Sequence, residues 1–224
     1  PARPDDPNRD RFLLSKGHAA PLLYSVLARR GYFDPALLPT LRQLGSPLQG
    51  HPHMAKLPGL DCSSGSLGQG LSIANGLALA ARRTGRTYRT YCLLGDGELQ
   101  EGQVWEALSF AAQQKLSHLI TFVDWNKRQL DGPIAGINDF SNVAERFAAF
   151  GWDAVTVDGH DVEAIADAIH NAKMLDDGRP HCIVMDTVKG KGVSFMEDQA
   201  GWHGKAPNAE QLEIALAELQ AARN

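Results

Sequence analysis

Short apolar runs alternate with longer stretches of helical periodicity along most of the chain. TYCLL (Thr90–Leu94), LITFV (Leu119–Val123), WDAVTV ending at Val157 and HCIVMDTV (His181–Val188) predict buried strands. A helical pattern spans about His18 to Arg30, and Gly31 follows where a helix C-cap glycine would stand. After a loop rich in Gly, Pro and His through Leu60, SSGSLGQGLSIANGLALAARRTG predicts a glycine-rich turn entering a helix that stops before Gly85. Trp105, Leu108, Ala112 and Leu116 recur at helical spacing, and a shorter helix is expected over Val143–Phe150. Asp161 can cap a helix that carries Val162, Ile165 and Ile169 on one face. Asn208 with Gln211 resembles a capping box opening a final helix.

Strands alternating with helices predict an α/β fold, an open, mainly parallel twisted sheet with helices on both faces. One domain is expected over residues 11–224, preceded by the Pro- and charge-rich segment 1–10, which reads as a linker or a truncated end. Ligands of such sheets bind beyond the carboxyl ends of the strands. Functional residues should therefore follow Leu94, Val123, Val157 and Val188.

Composition narrows the function. The 224 residues are 43% hydrophobic and 21% charged, ordinary values for a globular domain, with a formal net charge of −4 and no strongly basic run. Phosphate-backbone binding to nucleic acid needs clustered Lys and Arg and is not expected. The apolar stretch around Leu71–Ala81 is interrupted by Ser72, Asn75 and Gly76, so no membrane span is expected. Cys62, Cys92 and Cys182 are odd in number and widely spaced, without a C-x-x-C, which suggests neither a disulfide framework nor a structural zinc site. A reduced, cytoplasmic setting fits.

The candidate chemistry stands at two strand ends. GDGELQEG (Gly95–Gly102) follows the run ending at Leu94, and DWN (Asp124–Asn126) follows LITFV. If those strands are neighbours, the carboxylate of Asp96 and the carboxamide of Asn126 converge. That pair suits Mg²⁺, which takes oxygen ligands, few of them from protein and the rest from phosphates and water. Gly95 and Gly97 would allow backbone to approach an anion, and the following helix offers free N–H groups. GDG alone is equally a strand-to-helix turn; Asn126, with twenty-eight residues between it and Gly97, favours the metal reading. GSLGQG runs G-x-x-G-x-G and is weak evidence for a dinucleotide.

The G-D-G-x28-N arrangement resembles the thiamine diphosphate signature. In order, RFLLSKGHAAPLLYSVLARRGYF, LRQLGSPLQGHPH, SSGSLGQGLSIANGLALA, GDGELQEG, VDWNKRQLDG and TVKGKGVSFMEDQAGWHGKAPN look like the N-terminal domain of transketolase, closest to its split form. The resemblance runs from about Arg11 to Asn208. It implies the diphosphate-binding domain of the thiamine diphosphate-binding fold, with thiamine diphosphate and Mg²⁺ (or Ca²⁺ or Mn²⁺) as cofactors. It further implies that Asp96, Asn126 and the carbonyl of Arg128 ligate the metal. Gly97 and the helix after it would meet the diphosphate, Gly65 and Leu67 the aminopyrimidine side, and Asp124 would order the metal loop. Glu101 is expected at the subunit interface.

Of eight histidines, His118, His170 and His181 fall within strand or helix patterns and read as structural or surface residues, while His53 and His160 are open. His18, His51 and His203 occupy glycine-rich turns. Such loop histidines are more often hydrogen-bonding or surface residues, but the resemblance places all three in the catalytic cleft. His18 and His203 would lie near the diphosphate and reacting carbon, and His51 would bind the donor's terminal hydroxyl. Lys189 and Lys191 read equally as cleft cations or as a solvated loop.

The family's glutamate that activates the cofactor and its phosphate-gripping arginines belong to the pyrimidine-binding domain, which this sequence lacks. A glycine–histidine turn upstream of RFLLS is also absent, which leaves one cofactor- or substrate-side histidine without a counterpart. The resemblance implies an enzyme active only with a partner subunit, as an α₂β₂ heterotetramer. It would transfer a two-carbon ketol unit from a ketose phosphate to an aldose phosphate. A pyruvate-type thiamine enzyme (deoxyxylulose phosphate synthase or a 2-oxo acid dehydrogenase first component) and a non-catalytic binding subunit are the alternatives.

Overall fold

The computed structural model describes residues 1–222; residues 223 and 224 of the expected domain lie outside it. Five strands form one parallel sheet. They are β1 (Arg11–Leu14), β2 (Thr90–Gly95), β3 (Leu119–Trp125), β6 (Asp153–Asp158) and β7 (His181–Asp186), side by side in the order β1-β2-β3-β7-β6. A two-stranded antiparallel ribbon of β4 (Arg128–Gln129) and β5 (Gly132–Pro133) stands apart from them.

That strand order dictates where the helices sit. From β1 to β2 to β3 and on to β6 the chain advances across the sheet in one direction. Right-handed crossovers therefore place α2 (Gln69–Arg83), α3 (Gly102–Gln113) and α4 (Val143–Ala149) on one face. Leu71, Val104, Leu108 and Phe147 from these helices pack there with Cys92, Leu94, Val123 and Val184 of the strands. From β6 to β7 the direction reverses, and α5 (Val162–Met174) lands on the opposite face. There Ala168, Ala172 and Ile165 meet Ile120, Phe122 and Ile183. Helices thus cover both faces, three against one. The helix α1 (Ala20–Arg29) builds a separate apolar cluster with Leu48, Leu57 and Leu60, and α6 (Ala209–Ala221) opens on the expected capping box of Asn208 and Gln211.

Several boundaries differ from the sequence pattern. RFLL is a strand, β1, which the pattern does not announce: it is four residues long, opens on Arg11, and Phe12 stays exposed. Trp152 is not part of β6. Its indole lies under α3, donating from Nε1 to the Leu108 carbonyl (3.0 Å) and meeting Phe147 edge-on. β7 stops at Asp186, which leaves Thr187 and Val188 free to enter a loop. A short 3-10 turn, Gly17–Ala19, precedes α1, and another, Gly97–Gln100, separates β2 from α3. Residues 1–10 contain no helix or strand, but Arg9 makes a bidentate pair with Asp61 (2.8 and 2.7 Å) that ties them to the domain. Among the described residues no helix is long and apolar enough to cross a membrane, and all three cysteines are buried and unpaired.

Candidate functional site

A cleft of about 940 Å³ opens where β2, β3 and β7 end. Its wall carries His18, Leu67, Asp96, Gly97, Asp124, Asn126, Arg128 and His203 from the sequence-derived set, together with Lys16, Thr187, Lys189 and Lys191. β2 and β3 are neighbours in register, Gly95 opposite Asp124, so the two motifs leave the sheet side by side. A direct bond joins them: the Lys127 amide donates to Asp96 Oδ2 at 2.5 Å.

Asp96 is 3% exposed. Burial pushes its carboxyl up to about 6, against the pull of the Gly97 and Lys127 amides. A buried carboxylate so incompletely neutralised is suited to a cation, and each of its oxygens, with one amide bond, has a lone pair to spare. Asn126 is buried beside it, its Oδ1 accepting from the Arg128 amide at 3.1 Å. Among the described residues no three His, Cys, Asp or Glu gather to hold a metal. The expected donor set differs: one carboxylate, one carboxamide and one main-chain carbonyl, the oxygen-rich chemistry of Mg²⁺. The residues fit the group.

Asp124 sits behind this pair. It accepts from the Lys16 ammonium, from Thr187 Oγ1 (2.5 Å) and from Asn126 Nδ2 (3.4 Å). Burial alone would raise its carboxyl, but Lys16, Thr187 and Asn126 together hold it below the usual carboxylate range. Thr187 reaches it because β7 ends one residue earlier. Neither Lys16 nor Thr187 stood out in the sequence as a site residue: Lys16, in LSKGH, follows a strand the pattern does not announce, and Thr187 falls inside the run HCIVMDTV.

The rings of His18 and His203 stack with centroids 5.2 Å apart. His18 keeps an exposed edge, yet burial of the rest, then His203, Lys16, Lys189 and His51, lower its pKa to about 4. Burial, Lys189 and Lys16 lower His203 too, and its Nδ1 is buried without a partner. Lys189 is itself lowered by burial and by Lys16. Lys16, Lys189, His18 and His203 thus share one cleft, a setting for an anionic group.

Other expected residues fall at the rim or elsewhere. His51 and Gly65 lie against each other beside the cleft wall: a Cβ on Gly65 would come within 3.0 Å of the His51 ring. Glu101 is exposed at the N-cap of α3, with its Cβ against Gly68. The Gly97 amide donates to Asp96 Oδ1 (2.8 Å), so this glycine offers close approach rather than a free donor. Lys191 lines the cleft and pairs with Glu197 (3.0 Å). Of the open histidines, His160 accepts from the Val188 amide and His53 from the Ala55 amide. His181 is buried with Nδ1 3.1 Å from Asp153.

A parallel α/β domain with a cation- and anion-receptive cleft at its carboxyl end is the class this geometry defines. The transketolase thiamine diphosphate binding domain family matches residues 1–220, and the chain belongs to it. It is 43% identical to the 6-deoxy-6-sulfo-D-fructose transketolase subunit of Clostridium sp. (strain MSTE9), covering 98% of this chain and 80% of that one. Identity to an apulose-4-phosphate transketolase subunit of Phocaeicola vulgatus is 39%, over 98% and 77%. Human transketolase is 43% identical over 96% of this chain but 34% of its own length. The crystal structure of Campylobacter jejuni transketolase superposes with a TM-score of 0.89 at 35% identity, covering 97% of this chain. The chain spans about a third of that protein, 35%.

Proposed function

We propose that the chain is the diphosphate-binding subunit of a two-subunit transketolase, moving a two-carbon ketol unit from a ketose phosphate to an aldose phosphate. The observation that carries this reading is the contact between the two motif loops, Lys127 N–H to Asp96, which brings Asp96 and Asn126 into one cleft wall. Family membership and two relatives named as transketolase subunits support it.

Thiamine diphosphate, when bound, supplies the electron sink that lets the bond beside a ketose carbonyl break. Asp96, Asn126 and the Arg128 carbonyl hold the divalent metal, and Asp124 keeps the Asn126 amide turned with its nitrogen away from it. Lys16 and Lys189 balance diphosphate charge. Leu67 and Gly65 present an apolar, side-chain-poor surface to the aminopyrimidine. His18, neutral at pH 7, can donate from one ring nitrogen and accept at the other, and His203, likewise neutral, can do one or the other from Nε2, which suits sugar hydroxyls and a proton in transit. His51 at the rim reads the donor's terminal hydroxyl. A partner subunit brings the activating glutamate, beside Glu101, and the phosphate-binding arginines, in an α₂β₂ assembly. The three free cysteines suit a cytoplasmic enzyme.

The test is calorimetric titration of the assembled enzyme with thiamine diphosphate and Mg²⁺. Asp96→Ala is expected to abolish binding and activity, and wild-type affinity in that variant would overturn the metal assignment. The chain alone is expected to show no ketol transfer, because this reading assigns the activating glutamate, whose acid–base help is worth about 10²–10⁴-fold, to the partner. Turnover by the pure chain without partner would refute the two-subunit reading.

A further inference from the structure

Glu98, the glutamate of GDGE, has no role in the site described so far. It is 2% exposed, and its carboxylate is engaged by three donors. Oε1 accepts from Ser15 Oγ (2.5 Å) and from the Gly68 amide (2.9 Å), and Oε2 accepts from the Gly95 amide (3.0 Å). Each donor stands at the root of a different cleft loop. Ser15 follows β1 and leads to Lys16 and His18. Gly68, at the left-handed N-cap of α2, follows Leu67 directly. Gly95 ends β2 and leads to Asp96.

The packing around this point is close. A Cβ on Gly70 would fall 2.3 Å from Ser15 Oγ, and one on Gly17 would fall 2.6 Å from the Gly65 amide nitrogen. The loops after β1 and before α2 are therefore in close contact, and the Glu98 carboxylate bonds both of them to the end of β2. All three bonding groups present hydrogens, so the hub must be an acceptor on both sides. An ionised carboxylate is the side-chain group that accepts with both of its oxygens and donates with neither.

We infer that Glu98, which lines the floor of the cleft, is a positioning residue that sets the mutual spacing of the three loops around thiamine diphosphate through its bonds to Ser15, Gly68 and Gly95. The inference rests on the diphosphate-site reading above. Glutamine at this position keeps the size but turns an NH₂ toward at least one N–H donor, and aspartate is one methylene too short to reach all three.

Binding of thiamine diphosphate at saturating Mg²⁺, measured by calorimetry on the chain assembled with its partner subunit, tests it. Glu98→Gln is expected to weaken the cofactor about 10-fold or more, since a buried donor loses its acceptor. Ser15→Ala is expected to weaken it about 2–10-fold. The double variant is expected to lose less than the product of the two, because both changes act on one carboxylate. Ile169→Ala, on α5 across the sheet, is a control for general destabilisation and is expected to lower the melting temperature with cofactor affinity unchanged. The inference is overturned if Glu98→Gln binds within two-fold of wild type, or loses no more affinity than the α5 control. If Glu98→Gln does not fold, Ser15→Ala decides alone, and wild-type affinity there overturns it. Asp96→Ala in parallel separates the two levels. Wild-type binding in Asp96→Ala removes the diphosphate reading; binding lost there but kept in Glu98→Gln removes only the hub.

Discussion

Replacing Asp124 by asparagine keeps the shape of the side chain that Lys16, Thr187 and Asn126 bond and removes its charge. The Thr187 hydroxyl can still donate to the remaining carbonyl oxygen, but the Lys16 ammonium loses its counterion. The two side chains are 13% and 23% exposed, so the pair lies between a buried and a surface ion pair. Breaking a buried pair costs about 3–5 kcal/mol and a surface pair about 0–1 kcal/mol. An intermediate loss of about 2 kcal/mol is expected, or roughly 4–8 °C in Tm for a chain of this size. The folded pKa of Asp124 lies below its ordinary 3.8. Its stabilisation is therefore fully present above that value and is lost as pH falls through the lower, folded pKa. Thermal melts of the cofactor-free chain, followed by circular dichroism, should show the gap between wild type and Asp124→Asn at pH 7 and its narrowing below 3.8. Cofactor affinity should fall as well, by about 10-fold, because Asn126 Nδ2 loses its charged acceptor. Equal melting temperatures at pH 7 would refute the anchoring argument.

Asn126→Ala should weaken cofactor binding by less than Asp96→Ala in the same titration, since a neutral ligand is lost and not an anionic one. His51→Ala should reduce kcat/KM for a ketose phosphate and for hydroxypyruvate by about 2–13-fold, the value of one neutral hydrogen bond. Any pyruvate reaction should be less affected, and equal losses on all three would return His51 to supporting the fold or cofactor. His18 has a folded pKa of about 4 against 6.5, so the unfolded chain takes up a proton that the folded chain resists. Stability should decline as pH falls from 6.5 towards 4, and His18→Gln should flatten that part of the Tm profile; an unchanged profile would contradict it.

The sheet and the two motifs at its carboxyl edge were legible because their signals are local. TYCLL and LITFV are contiguous apolar runs with Asp96 and Asp124 within two residues of their ends, and a parallel sheet places such residues at one edge, in the cleft wall. RFLL was not legible as a strand, being only four residues long with Phe12 exposed on its outer side. Long-range polar contacts were silent for a different reason. Lys16 and Thr187 lie 108 and 63 residues from Asp124, and Ser15 lies 83 from Glu98. Nothing in the spacing of a Lys, a Thr or a Ser says which carboxylate it will face; that follows only once β1, β2, β3 and β7 are side by side. Glu98 in particular reads as an acidic residue in the first turn of a helix, where negative charge is ordinary.

Because the five strands of the main sheet run the same way, their amino ends carry turns remote from the cleft. The turn at Gly85, which leads from α2 towards β2, has open space around it. The native thiols of Cys62, Cys92 and Cys182 are all buried. A single cysteine placed at exposed Arg83 would then be the one readily alkylated position, a handle for a dye or a solid support that leaves the catalytic mouth facing solution.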